Sequence, residues 1–406
     1  MFAEIISQKN LTKAYLKLAE QMEADRRGQN YAGWDGLKFG DIELNSAKLI
    51  KEARQELVNF KELSPAILLR IPKKSNPKKF REIYIYSLKD RIKAQAIYQV
   101  VEPYFDSFLS PYLFSYRASH PSYFAARSTI RHYKKYYARD FLLVADASDY
   151  SSNIKRDLLI AKIKKAGFSD EVIKLFILYI ENKALEGGEI IRRPLGLISG
   201  TPLTGLFANL YLDDFDKYCG SRVDFYRRVG DDLIIFDQCE ERLKEIQNYL
   251  KKEAVELGII FNEKKTKYLK ASEDFEYLGY SFRQGIIGLG ASFIKNSIRH
   301  WQEQFDFYRT LQPRRKEKFL KRVLSRSEGN LANDFKQLAE QKKLVNDSRQ
   351  IRAFSEAFFR ILTRYFFGVY SPKNRRQLER KLKGLPLKSV YKYFLSCQYG
   401  YRPRTN

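Results

Sequence analysis

Cysteine is scarce in this chain of 406 residues: Cys219, Cys239 and Cys397 are the only three. Their number and wide spacing exclude a zinc pattern and a disulfide framework, and all three are expected to be buried, inert thiols. Histidine is as rare, and His120, His132 and His300 lie far apart, a scatter that fits structural roles. Nowhere does an uncharged apolar run reach the roughly eighteen residues that a membrane-spanning helix needs. The opening MFAEIISQKNLTKAYLKLAEQ carries acids and no uninterrupted apolar core, which argues against a signal peptide and for a cytoplasmic location. Negative charge is short as well: 48 Asp and Glu stand against 74 Lys and Arg, giving a net charge of +26 and a pI near 9.7. Such an excess points to a polyanion partner, most often nucleic acid.

Apolar side chains are plentiful. Hydrophobic residues make up 44% of the chain and aromatics 15%, enough to bury cores and to exclude a wholly disordered polymer. The length is too great for one small core and predicts two or three subdomains. The 28 tyrosines and 29 phenylalanines supply core and, among basic residues, rings on which bases can stack.

Periodicity predicts an amphipathic helix over 11–22 behind an Asn10 cap, and a second over 47–60 behind Ser46. Residues 66–85 read as strand, basic turn, strand, with Lys73, Lys74, Lys78, Lys79 and Arg81 about the tip. That tip suits a triphosphate or a phosphate backbone, and equally a solvated surface turn. After a helix over 88–105, Ser115-Tyr116-Arg117 leads into another helix that ends in the basic run 131–135. Residues 141–145 form an apolar strand with Asp146 at its end, where the strand fixes the direction of the carboxylate. Helical patterns follow over 155–166 and 170–185, and then a glycine-rich loop, 196–201, runs into an apolar helix. A helix over 241–257, a short strand over 259–261 and a hairpin over 275–282 come later, and beyond Phe282 the chain is basic and helical.

Between these lies YRRVGDDLIIF, 226–236, where a glycine and two aspartates interrupt apolar runs. The pattern predicts two strands joined by a tight turn, with Gly230 free to take backbone angles that other residues avoid. Displayed carboxylates make an ordinary polar hairpin tip or a site for a hard cation such as Mg²⁺. From Asp146 to Thr266 the order strand, helices, strand, strand, helix, strand is that of a ferredoxin-like βαββαβ unit. In it Asp146, Asp231 and Asp232 can meet at one edge and hold two Mg²⁺ ions, on the order of 3.5–4 Å apart, for in-line displacement at a phosphate.

These motifs, in this order, resemble the bacterial reverse transcriptases related to those of group II introns and retrons. The likeness covers roughly residues 10–282 and rests on NLTKAY…AGWDG, RIPKK…KKFREI, SLKDRIKAQAI…VVEPYF, FSYRAS, VADASDYSSNI, GLISGTPLTGLFANLYLDDFD, YRRVGDDLIIF, LGIIFNEKKTKYL and FEYLGYSF. It implies an α+β right-hand polymerase: N-terminal extension and fingers over 1–110, palm over 111–282 and a basic helical thumb over 283–406. It implies RNA-directed DNA polymerase activity with two Mg²⁺ ions, Mn²⁺ being a substitute, on dNTPs with an RNA template and a DNA product. Asp146, Asp231 and Asp232 match the metal-binding triad, with the Ala147 backbone beside the metal and triphosphate. Lys79 and Arg81 match the grip of the fingers on the nucleotide, and Lys265 the palm lysine that protonates pyrophosphate.

Three departures from the family pattern bear on nucleotide handling. Ser199, before Gly200, replaces the usual glutamine, and Thr204-Gly205 replaces Ser-Pro. Val229 stands for the usual tyrosine. Ser151 stands where an aromatic ring normally excludes ribonucleotides, with Tyr150 next to it as a substitute ring. With these departures and no zinc, HNH or RNase H pattern, the likeness is greatest to phage-defence-associated (unknown-group and abortive-infection-like) enzymes. Those work with a non-coding RNA, as oligomers or with a partner protein. A retron-type enzyme making a defined cDNA and a non-catalytic RNA-binding scaffold are the alternative expectations.

Overall fold

Alternation of buried and half-buried residues along Ala66–Leu69 marks the first strand, and it is indeed extended in the computed structural model. The structure describes residues 1–24, 33–37, 39–73, 76–148, 150–263, 265–307, 331–382 and 390–399. Tyr31, Ala32, Lys74, the Lys79 side chain and the basic run 313–318 lie outside the described residues. The chain divides into two units, one made of Met1–Ala125 with Leu142–Tyr268, the other of Ala126–Phe141 with Leu269–Asn406.

The first unit holds two sheets. In one, β1 (Ala66–Lys73) pairs antiparallel with β2 (Asn76–Ile85), Arg70 opposite Glu82 and Ile71 opposite Arg81. On its other side β1 runs parallel to β4 (Ala184–Glu186), which turns back as β5 (Glu189–Ile191). Here the helix predicted through residue 185 stops at Ile180, and Ala184-Leu185 is strand instead. Gly187 and Gly188, at φ +59° and +93°, supply the turn that a helix cannot continue through.

The second sheet carries the chemistry. Among its five strands are β3 (Phe141–Ser148), β6 (Phe225–Val229), β7 (Asp232–Asp237) and β8 (Ile260–Phe261), ordered β6-β7-β3-β8. Helices separate β3 from β6, and the helix Glu240–Leu257 separates β7 from β8. That helix ends at Gly258, whose left-handed φ of +69° lets the chain turn directly into β8. Central strands β3 and β7 are apolar over most of their length, and the helix Glu240–Leu257 packs against β7.

Asn10 does not cap a helix. It lies within Gln8–Ala24, buried, and its amide donates to the carbonyls of Ile5 and Ala96 at 3.0 Å each. Ser46 likewise falls inside its helix, which begins at Phe39. Of the three cysteines only Cys219 is buried; Cys239 is exposed and Cys397 half-exposed, since the last two sit at the start of a helix and in an amphipathic one.

In the second unit the expected hairpin is a three-stranded meander, Phe275–Tyr277, Tyr280–Arg283 and Ile286–Leu289. Phe275 and Phe282 stack at 4.5 Å with the Tyr133 ring edge-on to both. Helix Ser348–Phe367 begins beside the third strand, where Gln350 accepts from Leu289 N–H and donates to its carbonyl. Trp301, Phe335, Phe354 and Phe358 form the core of the helical part.

Candidate active site

The register of β6 and β7 makes the turn. Val229 pairs with Asp232, which leaves Gly230 and Asp231 as a two-residue loop. Gly230 has φ +64° at the first loop position, the conformation for which a II′ hairpin turn selects glycine. Asp231 is thereby thrust into solvent, while Asp232, at the head of β7, is half-buried.

Strand β3 runs alongside and is tied on both edges. Ala147 N–H donates to the Asp231 carbonyl at 2.9 Å, and Asn262 N–H donates to the Asp146 carbonyl at 2.8 Å. These bonds bring Asp146 (5% exposed) beside the turn. Ala147 N–H being taken, any backbone contact from Ala147 to a ligand comes through its carbonyl, an acceptor that suits a cation rather than a phosphate.

Electrostatics record how closely the carboxylates are gathered. Burial, then the charges of Asp231 and Asp146, push the Asp232 carboxyl up to about 6, and it shares a hydrogen bond with Asp146. Lys265 answers this with an ammonium 2.6 Å from Asp146 Oδ2. Desolvation pulls the Lys265 ammonium down, but the hydrogen bond and charge of Asp146, helped by Asp232 and Asp231, leave it raised. Among the described residues no group of three or more Asp, Glu, His or Cys side chains is placed where it could hold a metal ion. By chemistry the three carboxylates, in mutual repulsion and one paired with an ammonium, are oxygen donors of the kind a hard cation takes.

Other predicted site residues fall in different places. Arg81 stands exposed on β2, in the first sheet, and Lys79 belongs to the same strand by its backbone. Tyr150 is buried and its hydroxyl donates to the Ala208 carbonyl, so its ring serves the core as placed. Ser151 is half-buried and its carbonyl accepts from Leu197 N–H at 2.8 Å. Ser199 and Gly200 lie in a loop latched to the end of β2. Tyr86 Oη and Thr204 Oγ1 each donate to the Ile198 carbonyl at 3.1 Å, and a Cβ on Gly200 would come 2.6 Å from the Tyr84 carbonyl oxygen.

Sequence reading missed one pair. Arg228 (1% exposed) forks onto Asp216 (0%), with Nε to Oδ1 at 2.7 Å and an Nη to Oδ2 at 2.6 Å. Its other Nη donates to the Gly230 carbonyl at 2.8 Å, and Tyr226 Oη donates to Asp216 at 2.7 Å. A buried ion pair thus grips the turn that displays Asp231. Strand period could have found it, because Arg228 shares a face with the core residue Tyr226.

A family model described as "Reverse transcriptase (RNA-dependent DNA polymerase)" matches residues 71–282. No curated protein matches the chain. Among solved structures, apo telomerase from Candida tropicalis truncated from its C-terminal domain is 14% identical, with a TM-score of 0.44 over 62% of this chain and 60% of that one. Telomerase from Candida albicans with a fragment of telomeric RNA is 12% identical, TM-score 0.46, over 89% of this chain and 66% of that one. This chain thus spans about two thirds or less of those two proteins. Reverse transcriptases as a family use divalent metal ions. With more than half of its residues matched, the chain belongs to the reverse transcriptase family.

Proposed function

We propose that this polymerase adds nucleotides to a 3′ hydroxyl with two Mg²⁺ ions that Asp146, Asp231 and the Ala147 carbonyl would hold, Asp232 being close to the metals and the primer end. The observation that carries the reading is the bond from Ala147 to Asp231, which draws carboxylates from two chain segments to one sheet edge. Bound there, the ions supply activation of the attacking hydroxyl and neutralisation of charge on the phosphates. The chain's own part is orientation: β3 and the glycine turn fix the carboxylates, and Lys265 stands ready to give its proton to the leaving pyrophosphate. In this reading β1 and β2 belong to the fingers of 1–110, the sheet of β3, β6, β7 and β8 to a palm over 111–282, and the basic segment 283–406 to a thumb.

The same proposal extends to setting. The altered second and third motifs and the +26 charge favour a defence enzyme that works with a non-coding RNA, alone or in an oligomer. Primer extension on an RNA template with dNTPs tests the chemistry. Sequencing the nucleic acid that co-purifies, before and after dNTP addition, tests the setting; recovery of unrelated cellular RNA with no extended product would count against it.

Sugar choice follows from Ser151 and Tyr150. With Tyr150 committed to Ala208, the position that normally holds an excluding ring holds a hydroxymethyl group. Ribonucleotide exclusion is therefore expected to be weak, and Ser151→Phe to restore it by about 5- to 160-fold, the rate equivalent of a 1–3 kcal/mol clash. Competing dNTP against rNTP incorporation measures this. Strict dNTP use by both proteins would overturn it.

A further inference from the structure

Tyr116 is one of four non-glycine residues in the described chain with positive φ, at +52°. A bulky residue in the left-handed region is strained, and such strain persists only where the surroundings over-determine it. Here they do. On one side Asn209 Nδ2 donates to the Ser115 carbonyl at 2.7 Å, and Phe114 N–H donates to the Arg228 carbonyl at 2.8 Å. On the other, the buried Arg117 guanidinium donates to Asp106 Oδ1 at 2.5 Å and to the carbonyls of Asp106 and Ser110 at 2.9 and 2.6 Å. Between these anchors the Tyr116 ring is held out of the core, and the residue stays 62% exposed.

The ring rests on Gly205, in the first turns of helix Pro202–Tyr211, where a Cβ would run into its Cγ. This gives a physical reason for a sequence departure noted above: any residue but glycine at 205 would push the ring away. One face of the ring thus lies on peptide backbone and the other is left for a ligand. The site is close to the chemistry by covalent and hydrogen-bonded path, since Phe114 is bonded to Arg228 and Arg228 to the Gly230 carbonyl beside Asp231.

We infer that Tyr116 is a stacking platform, its open face receiving a nucleobase of the primer–template at the catalytic turn. This rests on the polymerase reading above. A rigid aromatic ring offers any base a π-face without sequence preference, and such stacks are worth about 5- to 100-fold in affinity. The contact with Gly205 restrains the ring before binding, so less side-chain entropy is lost on contact.

The experiment measures primer–template affinity, and KM separately from kcat, for the full chain and for Tyr116→Phe, Tyr116→Leu, Tyr116→Ala and Gly205→Ala. A 2-aminopurine base in the primer–template reports stacking by its quenching. Leu and Ala at 116 are expected to weaken binding 5- to 100-fold, to raise KM more than they lower kcat, and to restore 2-aminopurine fluorescence, whereas Phe recovers both affinity and quenching. Gly205→Ala should match Tyr116→Ala, and the double variant should be no worse than either single. Thermal midpoints at or above wild type for Tyr116→Ala would show that the fold is kept. Wild-type affinity and quenching in Tyr116→Leu and Tyr116→Ala, with extension intact, would overturn the platform and leave the polymerase reading standing. A wild-type chain that neither binds nor extends primer–template would end both.

Discussion

Replacing Asp231 and Asp232 together by asparagine is expected to lower primer extension by at least about 10³-fold while RNA binding stays within a few-fold of wild type. Metal-assisted stabilisation of transition-state charge is worth several kcal/mol, and each 1.36 kcal/mol is tenfold in rate. Asparagine keeps the shape of the turn and removes charge, so the loss is one of cation binding rather than of fold. Indeed the variant should be no less stable than wild type without Mg²⁺, because Asp146, Asp231 and Asp232 repel one another in the structure. Adding Mg²⁺ should raise the thermal midpoint of the wild type and leave that of the variant unmoved. Lys265→Met belongs to the same comparison: extension falls about 10²- to 10⁴-fold, as for loss of a general acid, while Mg²⁺ still stabilises the protein. Full extension by the double aspartate variant would remove these carboxylates from the mechanism.

Why these aspartates were legible and other parts were not has a physical basis. Gly230-Asp231-Asp232 announces itself within a few residues, because a turn between two apolar strands is a local decision of the backbone. Asp146 is legible for the same reason, standing at the end of an apolar run. The Arg228–Asp216 pair spans 12 residues and two elements, so strand period puts Arg228 on the Tyr226 face but does not name its partner. Tyr116 and Gly205 are further apart still, and their contact depends on hydrogen bonds made by Asn209 and Arg117. Strands β4 and β5 escaped because Ala184-Leu185 is short and apolar, a pattern that helix and buried strand share. Tyr150 shows the reverse limit: adjacency to Ser151 suggested a substitute ring, yet Tyr150 opens the short helix Tyr150–Asn153 with its side chain in the core.

Removing one partner of the Arg228–Asp216 pair is expected to be the most damaging single change outside the carboxylates. Arg228→Met leaves Asp216 fully buried without its counter-charge, and breaking such a pair costs about 3–5 kcal/mol of stability. Burial raises the Asp216 carboxyl, and even beside Arg228 it stays raised. Combining Arg228→Met with Asp216→Asn removes the orphan charge and keeps an acceptor for Tyr226, so most of the stability should return. Activity should not return with it. The Gly230 carbonyl loses its donor in both variants, and a turn that drifts by about 1 Å costs on the order of 10²-fold in a reaction that depends on placement. Thermal melts and primer extension on the two variants separate these contributions. Recovery of stability with extension still depressed, and depressed in kcat rather than KM, assigns the pair to positioning the catalytic turn. Recovery of both together would make it a core ion pair and nothing more.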